Sequence, residues 1–114
     1  MPLLELTEEN FDQLIDSHEL AIVDFWAPWC APCKAFAPVF EAAAEKHPDI
    51  LFAKVNTDEQ PRLAEDFEVR SIPTFLSAKS GTIVHVKMGA MAPALFEKMI
   101  EELRQAKIEE EPAL

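Results

Sequence analysis

Apolar residues change their spacing several times along this 114-residue chain, and each change predicts a new element. Residues 2–6 form a short apolar segment that predicts a first strand. Thr7 is followed by two acidic residues and then by apolar residues spaced three and four positions apart. This pattern predicts Thr7 as an N-cap and a helix over residues 8–17. Residues 20–27 are apolar on both faces except at Asp24, which is typical of a central strand covered by helices on both sides.

Helical spacing returns after Cys30 and continues through Pro38, which predicts a kinked helix that ends near His47. A strand, a short helix, a hairpin and a last helix follow, at 50–55, 61–67, 71–88 and from Pro93 onward. The last helix carries one predicted apolar stripe, formed by Leu95, Phe96, Met99, Ile100 and Leu103. The order β-α-β-α-β-α-β-β-α predicts an α/β fold, with one mixed central sheet and helices on both faces. We assign residues 1–107 to this domain and predict that the acidic C-terminal tail, 108–114, is disordered.

Charge excludes some partners. Ten basic and twenty-one acidic side chains give a formal net charge of −11, which argues against nucleic acid or an anionic membrane as a partner. No segment approaches the roughly 18 apolar residues of a membrane span, and the N-terminus lacks the basic and apolar regions of a signal peptide. We therefore expect a cytoplasmic protein.

Cys30 and Cys33 are the two cysteines of the chain, and they form a Cys-x-x-Cys motif. Such a pair serves as a redox couple, as half of a metal site, as a buried bridge, or as inert core cysteines. A zinc site needs about four ligands. The histidines, His18, His47 and His85, are scattered, so we expect no metal site within one chain.

The predicted strand-to-helix context favours redox chemistry. A thiolate at a helix N-terminus is stabilised by the free N–H groups and the helix dipole. Cys30 is at that position and Cys33 is one turn further on, so we assign Cys30 as the nucleophile and Cys33 as the resolving cysteine. Pro32 stiffens the turn between them.

Asp24 and Lys54 are candidates for proton transfer. Among Ile22, Val23 and Phe25, a carboxylate loses solvent and its pKa rises, so Asp24 is a candidate buried acid/base. The alternative is a solvated aspartate at the strand end. Lys54, in the next predicted strand, is a possible partner of Asp24 or an ordinary surface lysine.

The segment Phe25-Trp-Ala-Pro-Trp-Cys-Ala-Pro-Cys-Lys34 resembles the active-site segment of the thioredoxin family. Other landmarks of that family follow in order over nearly the whole chain: Asp24, Pro38, Asn56-x-Asp58, Arg70-x-Ile-Pro-Thr74, Gly81 and Gly89-Ala90.

The resemblance implies a thioredoxin fold and a thiol–disulfide oxidoreductase that reduces protein disulfides. It implies a cis peptide bond at Ile72-Pro73 and gives Pro73 a place in the catalytic site. It also implies a substrate groove lined by Trp29, Ala31, Pro32, Ile72, Gly89 and Ala90. It further implies that no cofactor is bound and that thioredoxin reductase supplies electrons from NADPH, or a ferredoxin-linked reductase does so in chloroplasts. We expect disulfide-containing target proteins as partners and a monomer.

The chain departs from the usual family pattern, and the segment 76–79 is more polar than the usual fourth strand. Ala31 replaces the usual glycine between the cysteines, and Glu68 and Ser71 stand where many relatives have glycine. Ala31 leaves a protein disulfide oxidase or isomerase open as one alternative. A binding or chaperone module of this fold, whose thiols are dispensable, is a second. A dimer bridged by a metal through two copies of the cysteine pair is a third.

Overall fold

The computed structural model describes residues 3–108, in which five strands form one mixed sheet. The strands are β1 (Leu4–Glu5), β2 (Leu20–Trp26), β3 (Leu51–Asn56), β4 (Thr74–Lys79) and β5 (Thr82–Met88). The helices are α1 (Phe11–Asp16), α2 (Ala31–Lys46), α3 (Pro61–Asp66) and α4 (Pro93–Gln105). The order in the sheet is β1-β3-β2-β4-β5, with β1, β3 and β2 parallel and β4 and β5 antiparallel to their neighbours. The predicted α/β fold class and element order are confirmed.

Strand β2 is the centre of the sheet and is buried on both faces, as its sequence predicts. Val23 and Phe25 point to the face covered by α1 and α3. Ile22 points to the opposite face, where Phe36 and Phe40 of α2 pack with residues of α4. Burying one such large side chain stabilises the fold by roughly 1.5–3 kcal/mol, so packing on both faces holds β2 at the centre of the sheet.

Helix α1 begins at Phe11, three residues later than the sequence predicts. The Oγ1 of Thr7 accepts N–H bonds from Glu9 and Asn10, and Asn10 Oδ1 accepts the N–H of Thr7 at 2.7 Å. These bonds close a separate turn over residues 8–10. Thr7 therefore caps that turn, and Asn10 is the N-cap of the helix.

Several other predicted boundaries also change. Strand β4 begins at Thr74 instead of residue 71, after Pro73, whose nitrogen has no proton for a sheet hydrogen bond. Leu95 is 53% exposed and does not belong to the buried stripe of α4, whereas Phe96, Met99, Ile100 and Leu103 do. Helix α2 does continue through Pro38 to Lys46, while the kink stays a prediction. Pro2 and the tail residues 109–114 lie outside the described residues.

The hairpin between β4 and β5 has the predicted two-residue turn. Lys79 pairs with Thr82, and the intervening Ser80 and Gly81 have φ angles of 51° and 79°. Two successive positive φ angles are those of a type I′ turn, whose twist matches that of the flanking strands. This hairpin makes β5 an edge of the sheet.

Candidate functional site

Cys30 is the N-cap of α2. Strand β2 ends at Trp26, and a turn in which the Cys30 N–H donates to the carbonyl of Ala27 at 3.1 Å leads into the helix. Cys30 has extended backbone angles, and its Sγ accepts the N–H of Cys33 at 3.2 Å. A sulfur therefore takes the place of the usual capping oxygen and receives one of the free N–H groups of the first turn.

Cys30 and Cys33 are joined in a disulfide, with their Cα atoms 5.3 Å apart. Both residues are buried, at 4% and 3% exposure. The exposed fractions of the two residues are therefore nearly equal, although Cys33 is one turn further along the helix. Only the Sγ of Cys30 occupies the capping position, and this is the asymmetry between them.

The segment before β4 lies against the disulfide. The Ile72-Pro73 peptide bond is cis, and the carbonyl oxygen of Ile72 is 3.8 Å from Cys30 Sγ. The N–H of Gly89, which has a φ of 97°, donates to the Pro73 carbonyl at 2.8 Å. The end of β5 is thereby fixed beside the cysteines.

Apolar side chains around the disulfide are open to solvent. Trp29 is 69% exposed, and Ala31, Pro32 and Ala90 are exposed as well. Ile72 is half-buried, while Pro73 is buried. The predicted groove residues are thus distributed around one end of the sheet, with Trp29 as the largest exposed surface.

Asp58 is a further residue of this region whose contact the sequence did not predict. Its carboxylate accepts the indole N–H of Trp29, at 3.2 Å to Oδ1 and 3.1 Å to Oδ2. Asn56 fixes the loop by accepting the N–H groups of Asp58 and Glu59 at its Oδ1. The Asn56-x-Asp58 motif was the available signal, but its contact with Trp29 joins residues 29 positions apart.

Asp24 lies on the central strand β2, on the face of the sheet that α2 covers. It is 1% exposed, and neither carboxylate oxygen has a hydrogen-bond partner in the described part of the chain. Burial raises the pKa of Asp24 to about 7, with Lys54 acting in the opposite direction and Glu5 adding to the increase. The alternative of a solvated aspartate is therefore wrong.

Lys54 is the register partner of Asp24 on β3. Its Nζ lies over the ring of Trp26, 4.6 Å from the ring centroid, in a cation–π contact. Within residues 3–108 no ion pair joins it to Asp24. Lys54 is thus half-buried beside Asp24, and its charge reaches the carboxyl without a direct contact.

Two other kinds of site were sought in the described residues. No group of three or more His, Cys, Asp or Glu side chains in residues 3–108 could hold a metal ion. None of the four helices in that part of the chain is both long and apolar enough to cross a membrane.

The family model for Thioredoxin matches residues 2–102. This chain belongs to the thioredoxin family. A Streptomyces coelicolor protein provisionally named thioredoxin 2 is 44% identical over 107 residues, which cover 94% of this chain and 80% of that protein. A thioredoxin of Chlorobaculum thiosulfatiphilum is 40% identical over 100 residues, 86% of this chain and 93% of the relative.

Solved structures agree with this assignment. Oxidised mitochondrial thioredoxin 3 of Saccharomyces cerevisiae superposes with a TM-score of 0.83 at 35% identity, covering 88% of this chain and 94% of the other. The five-stranded sheet with four helices in residues 3–108 is a thioredoxin fold. With the Cys30–Cys33 disulfide in this setting, the chain is a thiol–disulfide oxidoreductase of the protein-disulfide reductase type.

Proposed function

We propose that Cys30 attacks the disulfide of a target protein and that Cys33 completes the reduction. The observation that carries this proposal is the N–H bond from Cys33 to Cys30 Sγ at the N-cap of α2. A negative charge on this sulfur is favoured by that N–H and by the helix dipole, whereas among residues 3–108 no N–H donates to the Cys33 sulfur.

The proposed reaction transfers two electrons. The Cys30 thiolate attacks one target sulfur, a mixed disulfide forms, and the other target sulfur leaves as a thiolate. Cys33 then loses its proton and attacks Cys30 Sγ. The Cys30–Cys33 disulfide forms, the second target sulfur leaves, and the target disulfide has become two thiols once protons are taken up.

Asp24 is the proposed acceptor of the Cys33 proton. It is buried, it has no hydrogen-bond partner in the described chain, and its pKa of about 7 suits proton exchange near neutral pH. In the reverse direction the protonated carboxyl returns a proton to the Cys33 thiolate. Trp26, two residues along the same strand, packs beside both cysteines, which supports a place for Asp24 below the disulfide.

The groove proposed for the target segment consists of Trp29, Ala31, Pro32, Ile72, Gly89 and Ala90, with Pro73 at its base. The support is their position around one disulfide and the free apolar surface of Trp29. An extended target segment would pair with backbone groups of Ile72, as a peptide pairs with the edge of a sheet.

We further propose that a thioredoxin reductase returns the disulfide to the dithiol with electrons from NADPH. The chain would act in the cytoplasm as a monomer, with residues 1–107 as its domain, in electron transport and redox homeostasis. Family membership is the support for these assignments.

Adduct trapping tests the two cysteine roles. With a disulfide-bonded protein such as insulin as the target, Cys33→Ser should accumulate a mixed disulfide because the resolving attack is lost. Cys30→Ser is the matched control and should accumulate at least tenfold less, measured by mass spectrometry after acid quenching. Equal trapping by both variants would contradict the assignment.

Turnover distinguishes the reductase from a binding module. The wild-type chain, supplied with a thioredoxin reductase and NADPH, should reduce insulin, and the Cys30→Ser variant should not. Turnover that survives Cys30→Ser would contradict the proposed function.

A further inference from the structure

Three ionisable side chains form one row across the sheet, on the face covered by α2. Glu5 on β1 pairs in register with Lys54 on β3, and Lys54 pairs with Asp24 on β2. Register partners on adjacent strands place their side chains on the same face. Phe52 and Ile22, two positions before Lys54 and Asp24, pack against α2, so the row lies beneath that helix.

The row runs from solvent into the core. Glu5 is exposed, Lys54 is half-buried and Asp24 is 1% exposed. Two strand spacings place the backbones of Glu5 and Asp24 roughly 10 Å apart, and Lys54 is on the strand between them. The charge of Lys54 lowers the pKa of both carboxyl groups, although within residues 3–108 it forms an ion pair with neither, and only Glu5 has access to water.

We propose that Glu5 is a positioning residue that controls proton uptake by Asp24 through Lys54, the cation that both carboxyl groups share. A charged Glu5 holds the Lys54 ammonium toward the edge of the sheet, above Trp26 and away from Asp24. Without that charge the ammonium moves toward Asp24 and stabilises its ionised form. This inference rests on the proposed role of Asp24 and adds what sets its proton affinity.

The other groups around the row do not replace Glu5. Phe75 of β4 is the register partner of Asp24 on its other side and has no charge. From α2 the ionisable groups at this end are the two cysteines, which are joined, and the exposed Lys34. Burial is the main cause that raises the pKa of Glu5; Lys54 and the Trp26 side chain lower it, and Glu59, in the loop after β3, raises it by the smallest of these effects.

The test measures the pKa of Asp24 in the oxidised protein, by a pH titration of the ¹³C chemical shift of its carboxyl carbon. Glu5→Gln should lower the midpoint by about 0.3–1 pH unit, because a negative charge roughly 10 Å away is removed and the ammonium is released. Glu9→Gln is the matched control, since it removes the same charge from an exposed position outside the row and should leave the midpoint unchanged. An unchanged midpoint in Glu5→Gln would overturn the proposal.

A double-variant cycle tests the route through Lys54. In a Lys54→Gln background, Glu5→Gln should shift the midpoint by less than half as much, because only the direct charge effect remains. An equal shift in both backgrounds would overturn control through Lys54. The measurement needs no turnover, so it can fail while the trapping and turnover experiments with the cysteine variants succeed, or succeed while they fail.

Discussion

At the scale of single residues, the burial of Asp24 carries an electrostatic cost. Its carboxyl is buried without a hydrogen-bond partner among residues 3–108, and its pKa rises to about 7 from the ordinary 3.8. Between these two values the folded protein holds a proton that the unfolded chain has lost. The free energy of unfolding therefore falls as the pH rises through this window and stays low above it.

Replacing Asp24 should remove that pH dependence. The Asp24→Asn variant cannot ionise, so we expect it to exceed the wild type by about 4 kcal/mol in free energy of unfolding above pH 7, and to match it near pH 4. Urea unfolding of the oxidised proteins at pH 4, 5.5, 7 and 8.5 measures the difference. A constant difference across this range would contradict the burial of an ionising carboxyl.

At the scale of elements, the end of α3 contains a departure from the family pattern that has a physical cost. The N–H of Val69 donates to the Ala64 carbonyl at 2.8 Å, and that of Glu68 to Glu65 at 3.0 Å. These two bonds define a Schellman motif, whose C′ residue is left-handed and usually glycine. Here it is Glu68, with a φ of 53°.

Glycine at position 68 should stabilise the fold. The left-handed conformation costs a non-glycine residue roughly 1–2 kcal/mol, which glycine avoids. The greater entropy of glycine in the unfolded chain offsets roughly 0.5–1 kcal/mol of that gain. We expect Glu68→Gly to raise the melting temperature by about 2–4 °C. Glu65→Gly, within α3, is the control and should lower it; a lower melting temperature for both variants would rule out left-handed strain at Glu68.

Over the whole molecule, the sequence predicts what depends on local pattern. The element order, the Ser80-Gly81 hairpin and the position of Cys30 at a helix start each follow from neighbouring residues. The late start of α1 was missed because the Thr7 and Asn10 side chains bond to nearby backbone N–H groups and form a turn that competes with the helix.

Two relations between distant segments were not predicted from the sequence. The bond from Trp29 to Asp58 depends on how two loops meet. The row that joins Glu5 to Asp24 depends on the sheet order β1-β3-β2, which brings residues 5 and 54 together. The burial of Asp24 and the rise of its pKa were predictable, because its strand is apolar on both faces. The absence of a hydrogen-bond partner for its carboxyl among residues 3–108 could be found only in the packed structure.

The measurement that tests the reductase function most directly is the equilibrium of the Cys30–Cys33 pair with glutathione. A reductant holds its electrons weakly, so in a glutathione buffer poised at roughly −240 mV the pair should be mostly disulfide. The ratio of disulfide to dithiol should rise about tenfold for every 30 mV by which the potential of the pair lies below that of the buffer. Acid quenching, alkylation and mass spectrometry give the two populations. A pair that is mostly dithiol in this buffer would be an oxidant and would contradict the proposed reduction of target disulfides.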